Sequence, residues 1–160
     1  MKAIKMAEKE EGLSEKEREL QAELQSLLLR LRQYQAQAEQ KTQELLFVRQ
    51  ALNEHEKAIE TIKQLKKMKA GDELIVPIGA NSSVYVTLST TDKIIVRIGG
   101  GVSAERDPDS SIVFLSEMKN ELENTQREMA GELQRIEQEA QVLQTRMQEL
   151  ASKSGGQRPA

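Results

Sequence analysis

Few side chains in this sequence could do chemistry, and each has a simpler role open to it. His55 is the sole histidine. An imidazole can ligate a metal or move a proton near neutral pH. A metal site needs companions, however, and there is neither a cysteine nor a second histidine to supply them. At its place in a heptad seam His55 reads as a packed, polar-layer residue. Gly99-Gly100-Gly101 could cradle a phosphate only if Lys-Ser/Thr followed at the start of a helix. Val102 follows instead, so a hairpin turn accounts for the glycines. Lys63, Lys66, Lys67 and Lys69 could meet phosphate or acidic lipid, yet cations crowded at a helix end also complement its dipole. Asn81-Ser82-Ser83 matches a glycosylation acceptor. Met1 to Gly12 has no apolar stretch of a secretion signal, so a turn is expected there. The acidic residues follow the solvent faces of helices, and nothing converges two of them into an acid/base pair. The sequence therefore points to no enzyme, no metal and no cofactor. Function has to come from shape and surface.

Composition agrees. Aromatic residues are 2% of the 160 residues and there is no tryptophan, too little to fill a thick core, while 31% of residues are charged. Long paired helices have such a composition. A net charge of -3 argues against a nucleic-acid partner. The absence of cysteine excludes disulfides and thiolate metal sites. No run reaches the roughly 20 apolar residues that span a bilayer. The expectation is a soluble cytoplasmic protein without membrane or nucleic-acid partners.

The elements that carry these surfaces follow from hydrophobic spacing. Residues 1–12 read as a flexible lead. Leu13-Ser14-Glu15-Lys16-Glu17 looks like a helix start, with Ser14 and Glu17 as a capping box. Steps of four and three then link Leu20, Leu24, Leu27, Leu31, Tyr34, Ala38, Leu45, Val48, Leu52, Ile59 and Ile62, skipping only Lys41 and His55. Such phase is that of a left-handed coiled coil. The spacing predicts a helix over 13–70, ended by Gly71 and roughly 80 Å long at about 1.5 Å per residue. A second helix, 107–151, opens at Asp107-Pro108, an N-cap followed by proline at the first helical position. Its apolar seam runs through Leu115, Met118, Leu122, Thr125, Met129, Leu133, Ile136, Ala140, Leu143, Met147 and Leu150. The successive steps of four from Thr125 to Leu133 predict a stutter. Residues 152–160 read as a disordered tail. The helices are expected to pair antiparallel within the chain, with Met68 near Ile112 and Lys41 near Glu139.

Between them, 71–106 reads as two β-hairpins. Leu74, Val76 and Ile78 lie in the first strand; Val84, Val86 and Leu88 in the second; Ile94, Val96 and Ile98 in the third; Val102 in the fourth. Pro77 cannot donate to a ladder and belongs at an edge or a bulge. A sheet of about 35 residues buries too little surface to stand alone. Its apolar faces and edges call for other copies or related chains, so these ten residues are the expected assembly surface. At the opposite end, Leu20, Leu24, Leu27, Leu28, Met147 and Leu150 are expected to lie partly beyond mutual coverage. Leu27-Leu28-Leu29 cannot all face one seam, which leaves either an exposed interaction site or packing within the pair.

Asp72-Glu73-Leu74-Ile75-Val76-Pro77-Ile78-Gly79-Ala80, with Asp92-Lys93-Ile94-Ile95-Val96-Arg97-Ile98-Gly99-Gly100-Gly101-Val102, resembles the prefoldin alpha-class subunit, most like the archaeal form. The likeness extends through Tyr34-Gln35-Ala36-Gln37-Ala38-Glu39 and Leu65-Lys66-Lys67. It implies an α+β chain, a long antiparallel coiled coil of N- and C-terminal helices joined by two β-hairpins that build an oligomeric β-barrel body. It further implies a hexamer of two alpha with four beta-class subunits. Such a chaperone holds non-native proteins at its coiled-coil tips without ATP and passes them to a group II chaperonin. Two rivals stand beside it. One is a filament-forming paralogue, and the other is a structural coiled-coil tether that binds one specific partner.

Overall fold

The computed structural model describes the backbone of residues 2–155 and the side chains of residues 15–153. Helix α1 (Lys2–Leu65) is followed by strands β1 (Glu73–Gly79), β2 (Ser82–Thr87), β3 (Ile94–Gly99) and β4 (Val102–Arg106), and then by helix α2 (Pro108–Gly155). Helix α1 already runs through the segment read as a lead, and it ends at Leu65, before the expected Gly71. The side chain of Ser14 and residues 156–160 of the expected tail lie outside the described residues. Helix α2 continues to Gly155, past Leu150.

The chain divides into two compact units, one of residues up to Leu45 and from Glu128, the other of Leu46–Arg127. In the first, Leu27, Leu31, Leu143 and Leu150 form a buried cluster against which Leu20, Leu24, Tyr34, Ala140 and Met147 pack. The helices run antiparallel here, because Arg146 meets Glu23 while Lys41 meets Glu132. Glu132 lies one heptad short of the Glu139 expected from sequence. That expectation anchored the pair at Met68 and Ile112, whereas α1 stops at Leu65 and α2 begins at Pro108.

In the second unit Leu52, Ile59 and Ile62 are buried along α1. On α2 the half-buried positions include Leu115, Lys119, Leu122 and Gln126, while Met118 and Thr125 are exposed. With Met129 and Leu133, also half-buried, these positions keep steps of four and three where the sequence predicts two successive steps of four. The sequence reading takes Met118 and Thr125 for the seam, whereas the buried side passes through their neighbours Lys119 and Gln126. Ser110 donates its backbone N–H to Asp107 Oδ2 at 2.9 Å, as an N-cap requires. The Ser110 hydroxyl and amide hold the Asp107 carboxyl below its usual range.

Each hairpin is a separate two-stranded antiparallel sheet, so the chain alone closes no barrel among its described residues. The two share one plan. Ile75-Val76-Pro77-Ile78-Gly79 and Ile95-Val96-Arg97-Ile98-Gly99 occupy the same places, and the register shifts between Pro77 and Gly79 and between Arg97 and Gly99. Pro77 therefore sits at an irregularity, as its missing donor demands. Ala80 and Asn81 have φ of 47 and 56, and Gly100 and Gly101 have 57 and 79. Two successive left-handed residues are the hairpin turn that matches strand twist.

Candidate functional site

Among the described residues no three His, Cys, Asp or Glu side chains converge as a metal site. His55 is half-buried in the α1 seam and its Nδ1 lies 2.7 Å from the Ala51 carbonyl oxygen. A carbonyl only accepts, so Nδ1 carries the proton and donates it within the helix. Asn81 stands in the β1–β2 turn. No helix among the described residues is long and apolar enough to cross a membrane. The surfaces that remain are apolar ones.

In the first hairpin Leu74 pairs with Val86 and Val76 with Val84, while Ile75 pairs with Tyr85. Side chains alternate across a strand, so these pairs fall on opposite faces. Leu74, Val86 and Leu88 are half-buried, and Val76, Val84 and Ile78 are exposed. On the other face Ile75 is 63% exposed and Tyr85 73%. Such solvent contact at both faces of one hairpin leaves it without a core of its own.

The second hairpin is covered on one side. Val96 is only 5% exposed, Ile94 is half-buried, and Ile98 and Val102 are exposed. A groove of about 780 Å³ runs between β3 and the helices, lined in part by His55, Ala58, Ile62, Phe114 and Met118. The Arg106 guanidinium lies 4.8 Å from the centroid of the Phe114 ring, which ties the end of β4 to the start of α2. On the outer face Ile95 is 72% exposed. Val96 is thus covered by its own chain, while most of Ile95 is open to solvent.

Of the expected tip residues, Leu27 and Leu150 are buried in the interhelical cluster, and Leu20, Leu24 and Met147 are half-buried against it. Leu28 is exposed at the edge of the seam, and Leu29 is 61% exposed. The overhang expected for Leu20 and Leu24 does not occur, because the one-heptad change in register brings Leu150 and Met147 over them. The sequence reading does not include Ile75, Tyr85 and Ile95 in the assembly surface or Val142, Leu46 and Phe47 in the apolar helix surface, whereas Leu29 takes the exposed one of the two roles open to it. The signal was present. β1 is apolar at consecutive positions, and Leu29, Leu46, Phe47 and Val142 are apolar residues out of phase with the seam.

The family description Prefoldin subunit matches residues 34–153. The Prefoldin subunit alpha of Methanosarcina mazei is 34% identical over 79% of this chain and 92% of its own length. That of Methanopyrus kandleri is 35% identical over 73% and 74%. Among solved structures, filamentous PFD from Methanocaldococcus jannaschii superposes with a TM-score of 0.63, at 21% identity, over 72% of this chain and 96% of that one. At that identity the likeness is one of fold.

Proposed function

Because the chain belongs to the prefoldin subunit family, whose members are chaperone subunits and not enzymes, we propose that it is an alpha-class subunit of an ATP-independent holding chaperone. Its hairpins assemble with beta-class subunits, two alpha with four beta, into a β-barrel body. Leu74, Val76, Ile78, Val84, Val86, Leu88, Ile94, Val96, Ile98 and Val102 form the hairpin frame, with Ile75, Tyr85 and Ile95 added as contacts. The helix ends, where Leu28 and Leu29 are exposed beside the packed Leu20, Leu24, Leu27, Met147 and Leu150, hold non-native proteins in the cytoplasm and pass them to a group II chaperonin. Several weak apolar contacts grip an irregular client by avidity, and release needs no chemistry.

The observation that carries this reading is the pair of uncovered apolar hairpin faces around Ile75, Tyr85 and Ile95. Patches of this kind mark association surfaces. Co-expression with beta-class subunits followed by native mass measurement tests it. A discrete two-alpha, four-beta mass is expected. A ladder of homopolymers formed by the chain alone would favour the filament-forming reading, and a monomer indifferent to beta-class partners would favour a tether.

A further inference from the structure

Two ion pairs between the helices have a pattern around them that the apolar seam does not require. In the first unit Arg146 of α2 lies 3.1 Å from Glu23 of α1. In the second, Lys119 of α2 lies 2.9 Å from Glu56 of α1. One heptad to either side of Glu23 stand Lys16 and Arg30, and one heptad to either side of Glu56 stand Arg49 and Lys63. Each glutamate that receives a cation from α2 is therefore flanked, at the heptad spacing, by cations on its own helix.

A heptad repeat is degenerate, since sliding one helix by seven residues returns leucine to leucine. In either direction of slip, Arg146 would leave Glu23 for Arg30 or Lys16. Lys119 would leave Glu56 for Lys63 or Arg49. For Arg146 and Lys119 attraction in the observed register becomes repulsion in both neighbouring ones, while Glu23 itself would come level with Glu139 in one direction and with Lys153 in the other. Lys41 does not have this property: it is bound to Glu132, and a slip in one direction would offer it Glu139 instead. We infer that Glu23 and Glu56, through their flanking cations, select the register of the helix pair against heptad slippage. The same register decides whether Met147 and Leu150 cover Leu20 and Leu24, so it sets how much apolar surface the helix ends display.

The chain has no cysteine, so introduced cysteine pairs report register directly in the full-length protein. Leu27→Cys with Leu143→Cys reads the observed register. Tyr34→Cys or Leu20→Cys with Leu143→Cys reads a slip in either direction, because a disulfide needs Cα atoms within about 7 Å. The decisive background exchanges partners, Glu23→Lys with Arg146→Glu and Glu56→Lys with Lys119→Glu. Both pairs stay attractive in register, but the exchanged α2 residues now meet opposite charges at Lys16 or Arg30 and at Arg49 or Lys63 in the slipped registers too. The wild-type background should cross-link only the 27/143 pair. In the exchanged background the slipped cross-links should rise about tenfold. A second background, Lys16→Gln, Arg30→Gln, Arg49→Gln and Lys63→Gln, leaves the pairs intact and removes only the repulsion, with a smaller rise expected. It decides the matter if the exchanged variant loses its helical circular dichroism. Cross-linking confined to the 27/143 pair in the folded variants would overturn the inference and place register control in the connection through the hairpins.

Discussion

Lys41 of α1 places its ammonium 2.9 Å from Glu132 of α2 and 3.1 Å from Glu44 of its own helix, at a seam position where a leucine could stand. The cation is kept by satisfying it from both helices. Glu132, then Glu44, raise the pKa of Lys41 above its ordinary 10.5. The Gln40 side chain, then Lys41, lower that of Glu44 below 4.5.

The pH dependence follows from these directions. A raised lysine contributes stability that is complete below its unfolded pKa and lost as pH rises through the folded one. A lowered carboxylate contributes stability present above its unfolded pKa and lost as pH falls through the folded one. The difference in thermal midpoint between the wild type and Lys41→Met should be flat between the ordinary values of 4.5 and 10.5 and change outside that window. Thermal melts by circular dichroism across pH check it, and a difference independent of pH contradicts it.

The turns predict opposite effects from mirrored substitutions. Ala80 has φ 47 and Gly100, its counterpart in the second hairpin, has φ 57. An L side chain there costs about 1–2 kcal/mol, partly offset by the chain entropy that glycine loses on folding. Ala80→Gly should raise stability by about 0.5–1 kcal/mol and Gly100→Ala should lower it by a similar amount, as read by chemical denaturation.

The two faces of the hairpins should separate folding from assembly. Val96 is buried in its own chain, whereas Ile75 and Tyr85 are open. Val96→Asp buries an unpaired carboxylate and should cost several kcal/mol of chain stability. Ile75→Asp with Tyr85→Asp should leave the helical melt nearly unchanged but abolish the complex with beta-class subunits in native mass spectra. A complex of normal mass from the double variant would remove these residues from the interface.

Much of this was legible in the sequence, and the failures share a cause. The α1 seam from Leu20 to Ile62, the four strands, the Asp107 cap and the irregularity at Pro77 all follow from periodicity and backbone chemistry. Register does not, because a heptad pattern is equivalent to itself after seven residues. The sequence accordingly offers Glu139 to Lys41 as readily as Glu132, its partner in the structure. The stutter expected at Thr125 has a similar origin, since apolar Met118 beside Lys119, and Thr125 beside Gln126, do not reveal which of two neighbours faces the partner helix. Which hairpin face is covered is also hidden, since Ile95 and Val96 are equally apolar and only the folded chain, which leaves one 72% and the other 5% exposed, distinguishes them.

The central claim is that clients are held at the helix ends and not by the hairpin body. Its most direct measurement is suppression of aggregation of a denatured test protein by assembled complexes. The alpha chain would be cut to 34–136, and complexes shortened in alpha, in beta and in both would be compared. The hairpins and inner heptads stay, so assembly should persist by native mass. Protection should fall in each single truncation and vanish in the double one. Full protection by the doubly truncated complex would contradict the account and place the client site inside the body.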